Sequence, residues 1–282
     1  YYRRAHQVLE TPEDVPSDAR AVDAALGADP ALSHVLVVHC ETTSGILNPV
    51  ADIARVCAGH GRSLLVDAMS AFGAIELDAR ETPFDAVMAS SNKCIEGVPG
   101  VGFVIARRAV LERCRGNAPS LALDLHAQWV AMEANGQWRF TPPTHVMAAF
   151  DRALEEHARE GGVGGRGERY RRNCRILVEG MRRLGFDTLL PDELQAPIIV
   201  TFHQPHDPRF DFADFYRKLA ERGYVIYPGK LTVADSFRVG CIGALGEAEM
   251  RGALAAVEQT LREMGVEQRG RTQAGAGRAA QA

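Results

Sequence analysis

Apolar positions fall into short continuous runs separated by longer amphipathic stretches. Val35–Cys40 (VLVVHC) is continuous and rich in β-branched residues, which predicts a buried strand. Asn48-Pro49 opens a helix over Val50–Gly59, with proline near its first turn. Ser63–Asp67 (SLLVD) predicts the next strand. Strand, helix and strand within about 35 residues form a βαβ unit, and therefore a parallel sheet. Asp85–Ser90 and Val101–Ala106 predict two further strands, joined by the polar, glycine-rich loop Ser91–Gly100.

Beyond this point the character changes. Leu121–Asn135, His145–Gly161 and Gly164–Gly185 read as helices, the last with Ile176, Leu177, Met181 and Leu184 opposite its Arg and Glu side. Strands follow at Ile198–His203, Val225–Tyr227 and Phe237–Cys241, and helices at Phe212–Arg222 and Gly246–Met264. The pattern predicts an α/β chain with a larger, mostly parallel-sheet domain over 1–160 and a smaller α+β domain over 161–266. Residues 267–282 are of low complexity and predict a disordered tail.

Composition narrows the classes. Hydrophobic residues make up 46% and charged residues 24%, which excludes a wholly disordered, collagen-like or small disulfide-framework protein. A net charge of −4 provides no broad basic face, so neither nucleic acid nor an anionic membrane is an expected partner. No apolar run approaches the roughly 18 residues of a membrane span, and no signal peptide is recognisable. The chain opens Tyr1-Tyr2-Arg3-Arg4 without Met, which predicts that an upstream segment is missing. The six cysteines are dispersed with no C-x-x-C pair, and read as reduced, mostly buried thiols of a cytoplasmic protein. The nine histidines share no metal-ligand spacing, so no metal is expected. His39, at a strand end, reads equally as a satisfied core histidine or as one facing a site.

Lys and Arg together number 32, yet only Lys93, Lys218 and Lys230 are lysines. Arginine substitutes for lysine in most surface roles, but it stays protonated and cannot act as an amine nucleophile. A lysine retained in a loop is therefore a candidate for chemistry. Gly162–Gly167 matches G-x-G-x-x-G, but a charged helix precedes it where a dinucleotide fingerprint needs a strand, so it reads as an interhelical hinge.

Three predicted strands end in chemically capable residues: Glu41-Thr42-Thr43-Ser44-Gly45, Asp67-Ala68-Met69-Ser70 and Ser90-Ser91-Asn92-Lys93. Ligands of open α/β sheets bind beyond the carboxyl ends of the strands. Each residue alone could be a cap, a turn former or a solvated charge. Together, a lysine and an aspartate at neighbouring strand ends suit pyridoxal phosphate: the amine bonds the aldehyde, and the carboxylate keeps the pyridine nitrogen protonated.

The stretches VVHCETTSGILNP (37–49), LLVDAMSAFGAI (64–75), SSNKCIEGVPGVGFVIAR (90–107), SLALDLHAQW (120–129), QWRFTPPTH (137–145) and IYPGK with FRVGCIG (226–243) carry a family resemblance. The chain resembles the class V-like, fold type I pyridoxal-phosphate aminotransferases over nearly all of residues 1–265. Within them it is most similar to the group that moves the amino group of 2-aminoethylphosphonate to pyruvate, giving phosphonoacetaldehyde and alanine in phosphonate catabolism. The resemblance implies a cytoplasmic homodimer with pyridoxal phosphate. It makes Lys93 the Schiff-base lysine and proton shuttle, and Asp67 the partner of the pyridine nitrogen. It places Thr42 on the phenolic oxygen and Ser90 and Asn92 beside the cofactor. Thr141 would reach the phosphate bound in the partner subunit, and Arg238 would bind the carboxylate of pyruvate or alanine.

The serine– and alanine–glyoxylate aminotransferases share the Asp and the Lys but match SSNKCIEGVPG and QWRFTPPTH less well. Cysteine desulfurases usually place His where this chain has Asn92. Family members carry roughly a hundred further residues upstream, including a glycine-rich turn that cups the phosphate on a helix N-terminus. On this reading the large domain is truncated and the 282-residue chain binds the cofactor weakly. A glyoxylate-type enzyme and an inactive remnant that only dimerises are the alternatives.

Overall fold

The computed structural model describes residues 4–232 and 234–267. Two compact units divide it. Pro16–His39 and Asn48–Gly164 belong to the first, while Cys40–Leu47 belongs to the second, together with the chain from Gly165 onward.

In the first unit, α1 (Ala19–Ala28) starts at Asp18, whose carboxylate accepts from the Arg20 amide and satisfies one of the free N–H groups of the first turn. β1 (His34–Val38), α2 (Val50–Gly59) and β2 (Ser63–Asp67) form the expected βαβ unit, but β1 is not the buried strand read over Val35–Cys40: it stops at Val38 and lies at the sheet edge, where Leu36 is 66% exposed. β3 (Ala86–Ser90) pairs parallel to β2, and β4 (Gly102–Ala106) returns antiparallel, so the sheet order is β1-β2-β3-β4. α3 (Arg108–Glu112), α4 (Leu125–Asn135) and α5 (Thr144–Arg159) complete the unit. Its core joins Val22 and Leu26 of α1 and Ile53 and Cys57 of α2 to Leu64 and Val66. Each large aliphatic side chain buried in this way contributes about 1.5–3 kcal/mol.

The second unit contains α6 (Gly162–Arg183) from Gly165 onward, β5 (Ile199–His203), α7 (Phe212–Glu221), β6 (Tyr227–Pro228), β7 (Ser236–Gly240) and α8 (Glu247–Met264). Its sheet is antiparallel, in the order β5-β7-β6. Phe186, Phe202, Phe215 and Phe237 form an aromatic centre, with Phe186 and Phe237 edge to face at 5.5 Å.

Several expectations change. Gly162–Gly167 is not a hinge: the turn lies at Gly161 and Gly162, with φ of 100° and 65°, and residues 163–167 already form the first turns of α6. The helix predicted from Leu121 begins at Leu125, where Asp124 caps the Ala127 amide. The strand read at Val225–Tyr227 is the two-residue β6, and α1 and α3 were not anticipated. The predicted tail, apart from Glu267, lies outside the described residues. None of the six cysteines is in a disulfide, and five are buried. Among the described residues no helix is long and apolar enough to cross a membrane.

Candidate active site

Because β1, β2 and β3 run parallel, their carboxyl ends share one edge. The register aligns Val38 with Asp67 and Asp67 with Met88, so Ser90 lies two residues beyond the level of Asp67. Asp67 is half-buried, and its Oδ1 accepts from the Met69 amide at 2.9 Å. That bond closes a local turn and fixes the carboxylate at the strand end.

Lys93 sits in the turn that follows β3. The buried Ser91 secures this turn, its hydroxyl donating to the Val98 carbonyl at 2.7 Å and its amide to the Val101 carbonyl at 3.1 Å. The Gly97 amide donates back to the Ser91 carbonyl at 2.8 Å. A Cβ at Gly97 would stand 2.8 Å from that same oxygen, so only glycine fits there. Glu96 holds a φ of 62°, alone among the described non-glycine residues in having a positive value. Cys94, 0% exposed, donates its Sγ–H to the Ser70 carbonyl at 3.1 Å and so links the Lys93 turn to the Asp67 turn. Lys93 itself is exposed and Asn92 half-buried. The first unit thus brings together Asp67, Ser90, Asn92 and Lys93: a carboxylate, a hydroxyl, an amide and an accessible amine at one sheet edge.

Thr42 and Arg238 belong to the second unit. Arg238 lies within β7, opposite Thr201 and Tyr227. It is only 5% exposed. Its Nη1 donates to the Thr42 carbonyl at 2.6 Å and its Nε to the Pro228 carbonyl at 3.1 Å. The guanidinium lies 5.7 Å from the centre of the Tyr227 ring, and burial lowers its pKa. The Thr42 side chain is exposed in a turn ending at Gly45, whose φ of 96° and close approach to the Ile199 carbonyl exclude a side chain. Thr141 is exposed on the link between α4 and α5, away from regular structure. Ser91 belongs to the strand-end stretch Ser90–Lys93, whereas Cys94 and Tyr227 carry no sequence signal beyond the position of Cys94 beside Lys93.

His39 is 5% exposed, and burial lowers its pKa to about 4. Burial keeps it neutral, but its Nδ1 is buried without a hydrogen-bond partner, so the reading of a satisfied core histidine does not hold. The sign of its effect on stability follows. Below about pH 6.5 the unfolded chain binds a proton that folded His39 refuses, so stability falls as pH drops to about 4, by roughly 3 kcal/mol in total. Urea melts of the parent and His39→Gln between pH 4 and 7.5 should therefore converge as pH falls. Parallel curves would refute the buried neutral state.

The donor set fits pyridoxal phosphate: an exposed amine for its aldehyde, and a fixed carboxylate for its ring nitrogen. No cluster of three or more metal-ligating side chains occurs among the described residues. A family model described as aminotransferase class-V matches residues 8–238. The 2-aminoethylphosphonate–pyruvate transaminase 2 of Burkholderia lata is 59% identical over 258 residues, covering 92% of this chain and 69% of the relative. The 2-aminoethylphosphonate–pyruvate transaminase of Pseudomonas aeruginosa is 57% identical over 264 residues, covering 94% and 71%. Among solved structures, a pyridoxamine–pyruvate aminotransferase from Mesorhizobium loti superposes with a TM-score of 0.83 at 24% identity, covering 92% of this chain and 67% of that one. That likeness bears on the fold.

Proposed function

This chain belongs to the aminotransferase class-V family, and on that premise we propose that it transfers the amino group of 2-aminoethylphosphonate to pyruvate, using pyridoxal phosphate. The observation that carries the reading is the pairing of the Lys93 and Asp67 turns at one sheet edge. The names of the relatives supply the substrate.

Pyridoxal phosphate, when bound, supplies an aldehyde that exchanges amines and a ring that withdraws electrons from the substrate carbon. The protein's part is to hold and protonate. Lys93 Nζ would hold the cofactor through its aldehyde carbon, and the same amine would carry the proton removed from the substrate's amine-bearing carbon. The Asp67 carboxylate keeps the proton on the ring nitrogen. Ser90 and Asn92 flank the cofactor, and Thr42 bonds the phenolic oxygen. Arg238 binds the carboxylate of pyruvate or alanine, and Thr141 serves the phosphate in a partner subunit. Exposed Leu121, Leu123, Val130, Trp138 and Phe140, close to Thr141 in sequence, favour a homodimer. Six reduced cysteines favour the cytoplasm.

The test compares alanine formation from 2-aminoethylphosphonate and pyruvate with glycine formation from serine and glyoxylate. Both are measured in this chain and in one extended to the length of its relatives. Turnover with the phosphonate alone supports the proposal, and a preference for serine with glyoxylate would overturn it. In the same assay Arg238→Lys should raise the KM for pyruvate about 10–100-fold, because an ammonium cannot reproduce the planar, two-pronged bond to a carboxylate. An unchanged KM would remove Arg238 from substrate binding.

A further inference from the structure

We propose that Cys94 is a positioning residue: its buried thiol fixes the Lys93 turn against the Asp67 turn, so that amine and carboxylate keep one mutual geometry. This rests on the reading of Lys93 and Asp67 as the paired site. The sheet alone does not set that geometry. Lys93 lies three residues beyond the last residue of β3, and Asp67 is the last residue of β2. Ladder bonds fix the strands, whereas the position of Lys93 depends on what holds its turn.

Two kinds of tie hold it. Ser91 and Gly97 close the loop on itself, through the Val98 and Val101 carbonyls and the Ser91 carbonyl. These bonds make the loop stiff without registering it to Asp67. Cys94 and Ile95 do the registering. The Cys94 Sγ–H meets the Ser70 carbonyl three residues past Asp67, and Ile95 packs so closely on Gly73 that a Cβ there would lie 2.5 Å from Ile95 Cδ1. Gly73 has a φ of 94°, so it is suited to the position in backbone as well as in space. The adjacent segment is a tight turn in which the Ala71 and Phe72 amides donate to the Ala68 carbonyl and those of Ala74 and Ile75 to the Ala71 carbonyl. A displacement of about 1 Å at a reacting group can cost on the order of a hundredfold in rate. A buried donor on the residue next to Lys93, aimed at the turn that carries Asp67, counters that displacement.

The experiment has two readouts, neither of which needs turnover. Amide hydrogen exchange is measured on the cofactor-free chain for the parent, Cys94→Ala and Cys94→Ser. The rate at which pyridoxal phosphate is reductively trapped on Lys93 is measured by peptide mass spectrometry on the same three proteins. In Cys94→Ala the amides of residues 71–75 should exchange about tenfold faster and trapping on Lys93 should slow, while exchange in α1 and α2 stays at the parent rate. Cys94→Ser retains a donor at that place and should return both readouts to within about twofold of the parent.

A uniform rise in exchange across the unit, or no rescue by serine, would overturn the proposal, because a thiol that merely fills space would behave that way. Parent-like exchange at 71–75 in Cys94→Ala would overturn it as well. The outcome is separable from that of the proposed function. Selective loosening in a protein with no transaminase activity leaves the tie standing and removes the function. Transamination together with parent-like exchange does the reverse.

Discussion

In the chain extended upstream to the length of its relatives, Lys93→Ala will abolish transamination, with a loss of roughly 10⁴-fold or more, since one amine both holds the cofactor and moves the proton. Lys93→Arg will fail as badly, because guanidinium does not give up its proton at any accessible pH. The decisive measurement is the site of labelling at saturating pyridoxal phosphate. After borohydride reduction, the label should lie on the Lys93 peptide in the parent and be missing in both variants. Only two other lysine amines compete. Lys218 is largely covered and lies 3.8 Å from Glu263, whereas Lys230 is exposed in the loop after β6. A label that moves to Lys230 with turnover intact would show that the wrong lysine has been assigned.

Asp67→Asn should leave cofactor attachment largely intact and slow turnover by roughly 10²–10³-fold. The amide is nearly isosteric and its oxygen can still accept from the Met69 amide, so the turn at the end of β2 should survive. It carries no charge to hold a proton on the pyridine nitrogen, and charge developing on the substrate carbon then has a poorer place to go. Titration of cofactor binding separates the two effects. Near-parent affinity with collapsed kcat is the expected result, and unchanged kcat would dismiss Asp67 from the chemistry.

What could be read from the sequence followed physical scale. Val35–Cys40 and Ser63–Asp67 announced themselves as strands because continuous apolar runs have few other uses, and the helix between them made the pairing parallel; burial was misjudged for the first, because an apolar run does not tell an edge strand from a central one. The joint placement of Asp67 and Lys93 at strand ends followed from that topology alone. The short elements escaped. β6 is held by two residues' pairing to β7, and no periodicity can be read from two residues. α1 carries only Val22 and Leu26 as buried residues, too sparse a stripe to stand out. Gly162–Gly167 misled in the other direction: glycine disfavours helix locally, yet burial of Tyr170, Leu177 and Met181 further along α6 outweighs that cost. The loop bonds of Ser91 and Cys94 could not be foreseen, because a hydroxyl or thiol beside a lysine does not declare which carbonyl it will meet.

The early segment Cys40–Leu47 has a consequence for how the chain matures. It belongs to the second unit although the residues on either side belong to the first. Its carbonyl at Gly45 accepts from the Ala196 amide, and Thr43 accepts from the Thr201 hydroxyl, 158 positions later. A ribosome adding about 5–20 residues per second reaches those partners roughly 8–30 s after making this turn. During that interval the strand ends of the first unit can already pair, while the turn carrying Thr42 waits with its acceptors in water. A fragment beginning at Gly165 would lack the turn altogether, so limited proteolysis should not release a stable, native-like carboxyl-terminal piece.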